Sequence, residues 1–127
     1  MEIIKFEPFI DERGTLTPIE LNFLSFVPKR IFVVDNVPEN SIRGNHAHYK
    51  TKQFLICIKG QIEVILNDGL KESNFLLNEN EGILVPELIW DAQKFMKQNS
   101  SLLVLCSTNY NEDDYILDFE TFKKIIK

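Results

Sequence analysis

Arg43-Gly44-Asn45-His46-Ala47-His48-Tyr49-Lys50-Thr51-Lys52-Gln53-Phe54-Leu55-Ile56-Cys57-Ile58-Lys59-Gly60 is the stretch that decides how the chain reads. The chain has two histidines, and both lie here, at 46 and 48. On an extended strand, residues i and i+2 point to the same face. His46 and His48 therefore project side by side into one space. The polar Gln53 follows, then an apolar run rich in Leu and Ile, then the turn residue Gly60.

Outward from this stretch, the chain is punctuated at short intervals. On the N-terminal side, residues 2–8 read as an opening strand and Asp11-Glu12-Arg13-Gly14 as a turn. Residues 15–20 alternate weakly, with Pro18 marking an edge. Residues 30–36 are β-branched and aromatic, the composition of a buried strand. On the C-terminal side, residues 61–66 lead into Asn67-Asp68-Gly69, a strong hairpin signal, and residues 73–77 pair back. Residues 83–86, 90–96 and 102–107 complete a run of short strands. Only the end reads as helical. Asn111 to Asp114 supplies caps and first-turn acids, and Ile116, Phe119, Phe122 and Ile126 recur at helical spacing. The acidic run 112–114 reads as a solvated helix start. Many short strands with turn punctuation define an all-β sandwich or barrel with a short C-terminal helix.

Composition narrows the partners. The chain of 127 residues is one domain over 1–127, large enough to bury a core. Its hydrophobic content of 44% and ten Phe argue against disorder. A net charge of −5 argues against nucleic acid or an anionic membrane surface. No segment has the length of a membrane span or the form of a secretory leader, which points to a cytoplasmic protein. Cys57 and Cys106 sit inside apolar runs and read as buried free thiols. The three arginines, Arg13, Arg30 and Arg43, fall in the first third of the chain. Their planar forks suit phosphate or carboxylate.

Two chemistries fit paired imidazoles. Metal ligation would combine His46 and His48 with a later carboxylate such as Asp91. Gln53 is a poor ligand and there is no third histidine, so no metal is assigned. Acid–base catalysis fits better. Imidazole titrates near neutral pH, and two on one face can divide work between a carbon and its neighbouring oxygens. Trp90, the single tryptophan, is placed to stack on a flat ring or to fill the core.

The His-x-His, Gln53 and Gly60 spacing resembles the first cupin motif. The chain as a whole resembles the nucleotide-linked deoxysugar 3,4-ketoisomerases, small cupins of the WxcM-like or FdtA-like type. The likeness rests on Asp11-x-Arg13-Gly14-x-Leu16, on Lys29-Arg30, and on Arg43-Gly-x-His46-Ala-His48 with Gln53 and Gly60. It continues through Asp68-Gly69, Trp90 and the ending Tyr110-x-x-x-Asp114-Tyr115-Ile116-x-Asp118-Phe119. The resemblance implies a jelly-roll fold, a homodimer with strands exchanged near the N-terminus, and no metal or organic cofactor. It implies dTDP-4-keto-6-deoxy-D-glucose as substrate and a dTDP-3-keto-6-deoxyhexose as product, destined for 3-amino-3,6-dideoxysugars. It makes His46 the carbon base and His48 its partner. Arg13, Arg43, Gln53, Trp90 and Asp91 become candidates for holding substrate. Two departures stand out: Ile31-Phe32-Val33-Val34 lacks the tyrosines often found there, and Asp91 stands where relatives often carry histidine. The same scaffold also suits a nucleotide-sugar epimerase, or a non-catalytic domain binding a sugar nucleotide or a metal.

Overall fold

The computed structural model describes all of residues 1–127. Its strands are β1 (Ile4–Lys5), β2 (Phe9–Asp11), β3 (Gly14–Leu16), β4 (Arg30–Val34), β5 (Ile42–His48) and β6 (Gln53–Lys59). They continue as β7 (Ile62–Asn67), β8 (Glu72–Leu77), β9 (Glu81–Val85), β10 (Trp90–Phe95), β11 (Ser101–Cys106) and β12 (Tyr115–Ile116). One helix, α1 (Phe119–Ile125), follows a 3-10 turn at Glu112–Asp114. Two five-stranded sheets run in the orders β1-β9-β6-β11-β4 and β12-β5-β10-β7-β8, with every pairing antiparallel. Apart from the β2–β3 and β7–β8 hairpins, strands that neighbour one another in a sheet are not consecutive in sequence, as in a jelly roll. No helix is long and apolar enough to cross a membrane.

Alternation along each strand builds the interior. Leu55 and Cys57 on β6, Ile62, Val64 and Leu66 on β7, Phe95 on β10, and Leu102 and Val104 on β11 form one buried cluster between the sheets. Burying a Leu, Ile or Phe side chain contributes about 1.5–3 kcal/mol, so this cluster dominates the fold's stability. The alternate residues Phe54, Ile56 and Leu105 face outward, where Phe6 and the loop residues Leu24 and Phe26 cover them. The outer face of the second sheet is closed by α1, whose Phe122 packs with Ala47 and Ile116.

Several local expectations shift. The opening strand of 2–8 is only Ile4–Lys5, and the strand expected over 15–20 is Gly14–Leu16, ending before Pro18. β4 is an edge strand and not a buried one: Ile31 and Val33 are 60% and 53% exposed. The helix is shorter than the apolar periodicity indicates. Tyr115 and Ile116 pair with His48 and Ala47 as β12, and the α1 cap is Asp118, which accepts from the Thr121 amide. Asn111 caps the 3-10 turn instead. The Asn67-Asp68-Gly69 turn does link β7 to β8, with Asn67 Oδ1 accepting from the Gly69 amide at 2.7 Å.

Candidate active site

One end of the space between the sheets is polar. The face that carries Leu55 and Cys57 ends on β6 in Gln53, and the face of Val104 on β11 ends in Cys106. Arg30 pairs with Cys106 across β4 and β11, so it shares that face. Opposite them, β10 places Asp91 and Gln93 in line with the core residue Phe95. β5 completes the site with Arg43, His46 and His48.

Arg43 lies an odd number of residues from His46, so a regular strand would put them on opposite faces. A bulge corrects this. His46 opposes Asp91 and Gly44 opposes Ala92, which leaves Asn45 as an extra residue. Gly44 and Asn45 adopt φ of 90° and 58°, the left-handed region. Beyond the bulge, Arg43 opposes Gln93, so Arg43 and His46 return to one face.

The two imidazoles lie with ring centroids 5.1 Å apart, nearly perpendicular. Tyr115 contacts both, at 5.3 Å from His46 and 4.4 Å from His48. Burial depresses both histidines, so each is neutral near pH 7. His46 falls to about 4, through burial and then the neighbouring His48. For His48, burial lowers the pKa and outweighs the opposing pull of Asp114. His48 Nδ1 sits 3.3 Å from Asp114 Oδ2. Asp114 is held below the usual carboxylate range: burial acts against ionisation, but the Thr51 hydroxyl and the Lys50 and Thr51 amides outweigh it. With the carboxylate charged and the imidazole neutral, the contact is an Nδ1–H donated to Asp114. That tautomer leaves the lone pair on Nε2, a buried atom with no partner.

Asp91 is fully buried and lies beside His46, with Oδ2 3.9 Å from Nε2. Burial raises it to about 7, partly offset by Gln93, whose amide donates to Oδ1. The ionisable neighbour it meets within the site is His46. No group of three His, Cys, Asp or Glu side chains converges as a metal-ion cluster.

The other expected site residues divide. Gln53 is buried in the polar end, donating to Cys106 Sγ at 3.4 Å. Trp90 precedes Asp91, so alternation turns it to the outer face, where its ring lies 5.3 Å from Phe119 and 5.7 Å from Phe122. It fills the core beneath α1 and does not share the histidine face. Arg13 stands on the exposed β2–β3 turn, paired with Asp11 at 2.8 Å, outside this site within one chain. Four contributors went unassigned from sequence: Arg30, Thr51, Asp114 and Tyr115. Arg30 is fixed by stacking over Phe32 at 4.7 Å and Tyr110 at 5.0 Å. Its pairing with Lys29, and the Asp114-Tyr115 pair in the C-terminal motif, were the available signals.

Two facing antiparallel sheets with paired neutral imidazoles at one end define a small cupin-type protein with an internal acid–base site. The chain belongs to the family described as FdtA: WxcM-like, C-terminal, which it matches over residues 1–127. It is 35% identical to a TDP-4-oxo-6-deoxy-alpha-D-glucose-3,4-oxoisomerase of Aneurinibacillus thermoaerophilus, over 98% of this chain and 91% of that one. A 3,4-ketoisomerase from Helicobacter canadensis superposes with a TM-score of 0.90 at 34% identity, covering 98% of this chain and 96% of that chain. A histidine-to-asparagine variant of the 3,4-ketoisomerase QdtA from Thermoanaerobacterium thermosaccharolyticum, in complex with TDP-4-keto-6-deoxyglucose, superposes with a TM-score of 0.89 at 31% identity. There 98% of this chain and 92% of that chain are covered.

Proposed function

We propose that this protein is a sugar 3,4-ketoisomerase that converts dTDP-4-keto-6-deoxy-D-glucose to a dTDP-3-keto-6-deoxyhexose. The observation that carries the reading is the pair of neutral, side-by-side imidazoles, one with an unpartnered Nε2.

The C4 ketone acidifies the proton on C3. His46 removes that proton, and the electron pair forms a C3–C4 enediolate. His48 Nε2 takes the O3 proton and returns it to O4, and a proton is then delivered to C4. The net change is a carbonyl at C3 and a hydroxyl at C4, with no oxidant, reductant or cofactor consumed. Asp114 orients His48 and offsets the charge of its imidazolium as it forms. Arg43 and Arg30 supply fixed cationic donors for the enolate or diphosphate oxygens. An acidic protein that binds an anionic nucleotide sugar must concentrate its positive charge in this way.

The functional unit in this reading is a homodimer of one-domain subunits. The β2–β3 hairpin pairs only with itself and exposes Phe9 and Ile10 at 65% and 74%. A lone hairpin is marginal in water, and a second copy would cover it. Strand exchange would also carry Arg13 toward the neighbouring subunit. Two buried free thiols suit a reducing cytoplasm.

The test is proton NMR of purified protein with the 4-keto substrate. Signals of a 3-keto sugar should grow as those of the substrate fade. Both His46→Asn and His48→Asn should slow this by about 10²–10⁴-fold, the usual contribution of an acid–base group. A folded wild type that leaves the substrate unchanged refutes the assignment.

A further inference from the structure

Asp91 is the one fully buried carboxylate of the interior, and nothing in the scheme above uses it. Its two oxygens differ. Oδ1 accepts from the Gln93 amide, whereas Oδ2 has no partner and faces His46 Nε2 at 3.9 Å. At that separation the carboxylate leaves the Nε2 lone pair free for a substrate proton. It also lies beside the positive charge once that proton arrives. A buried polar atom without a partner is uncommon, and one aimed at a candidate base calls for a role.

Other charged groups are poorly placed to substitute. On β5 the neighbours are His48, which is committed to Asp114, and Arg43, which opposes Gln93. β7 opposes Asp91 with the apolar Leu66. Tyr115 of β12 meets the rings of His46 and His48, while Arg30 of β4 and Cys106 of β11 belong to the facing sheet. Only His46 approaches the free oxygen.

We propose that Asp91 is the positioning residue of His46: its Gln93-fixed carboxylate stands beside Nε2 and provides the countercharge when Nε2 takes the C3 proton. The inference rests on the ketoisomerase reading for its catalytic meaning, but its electrostatic content is separately measurable. Ionised Asp91 is the active form, so activity rises with pH as Asp91 loses its proton.

The experiment combines a histidine-ring NMR titration with the pH profile of kcat, on the full chain and on Asp91→Asn. With two histidines, the ring signals separate cleanly. In the wild type, the His46 signal should inflect near 7, where Asp91 ionises beside it, and kcat should have an acid limb at that pH. In Asp91→Asn both features should vanish while the His48 curve stays. The plateau kcat should fall about 10- to 100-fold, less than the whole contribution of a general base, with KM changed less than threefold. If the variant does not fold, Gln93→Leu serves: it removes the hydrogen bond that favours the ionised carboxyl, so the inflection moves to higher pH. An unmoved His46 curve in either variant overturns the proposal, as does a lowered kcat with the limb in place. A wild type showing the inflection but no turnover refutes the ketoisomerase reading and leaves the Asp91–His46 coupling standing.

Discussion

His48 Nδ1 and Asp114 Oδ2 lie 3.3 Å apart, a contact between a strand in the middle of the chain and a 3-10 turn near its end. The same carboxylate accepts from the Lys50 amide at 2.9 Å, the Thr51 amide at 3.2 Å and the Thr51 hydroxyl at 2.5 Å. Four donors converge on one side chain, so the turn after β5 and the tautomer of His48 are fixed together.

Asp114→Asn should therefore damage activity more than stability. The amide offers one acceptor where the carboxylate offered two, and its N–H₂ can reverse the His48 tautomer. Stability should fall by about 1–3 kcal/mol, the cost of leaving buried donors unmatched. The kcat should fall by about 10²–10⁴-fold, the range for a disabled acid–base group. Urea unfolding and steady-state kinetics measure the two separately. The parent protein should also show the acid sensitivity of a depressed carboxyl. Asp114 stabilises the fold above its unfolded pKa of 3.8, and that contribution disappears as pH falls through its lower folded value.

Asp91 and His46 should pull stability in opposite directions. Asp91 is raised from 3.8 to about 7, so the folded state binds the extra proton and Asp91's contribution declines as pH rises between those values. His46 is lowered from 6.5 to about 4, so the unfolded state binds the extra proton and stability rises across that window. Each proton corresponds to about 1.4 kcal/mol per pH unit. Relative to the parent, Asp91→Asn should gain stability at that rate from pH 4 to 7. His46→Asn should lose it at that rate from pH 4 to 6.5. Urea midpoints at half-unit pH steps test both signs.

Gly44 sets which face Arg43 occupies. At its φ of 90°, a Cβ would meet the Gln93 amide at 3.1 Å and the Ala92 Cα at 3.2 Å. Gly44→Ala should destabilise the protein by about 1–3 kcal/mol through left-handed strain and crowding. It should also reduce kcat, because relief of the strain shifts the bulge that brings Arg43 and His46 to one face. Full activity in a folded Gly44→Ala protein would show that the bulge is not needed for function.

Much of this was legible in the sequence. The period-two spacing of His46 and His48 gave a shared face, and short strands between turn signals gave the sandwich. What escaped depended on tertiary context. Asp114 sits in an acidic run that reads as solvent-facing, yet β12 draws it against β5 and buries it. Tyr115 and Ile116 fit a helical period but pair as a strand, because β5 offers an open edge there. Parity separates Trp90 from Asp91, and the bulge breaks parity between Arg43 and His46; neither strand boundaries nor bulges are fixed by local propensity. Ile31 and Val33 read as buried because composition does not reveal which strand ends a sheet.

The most direct measurement is the isotope outcome of the reaction in D2O. Purified protein, freed of removable metal with EDTA, is mixed with dTDP-4-keto-6-deoxyglucose and followed by proton NMR. The account predicts a 3-keto product with deuterium at C4, and ring couplings that give the configuration there. Unchanged substrate, a requirement for added metal, or deuterium entering at C5 as an epimerase would place it, would contradict it.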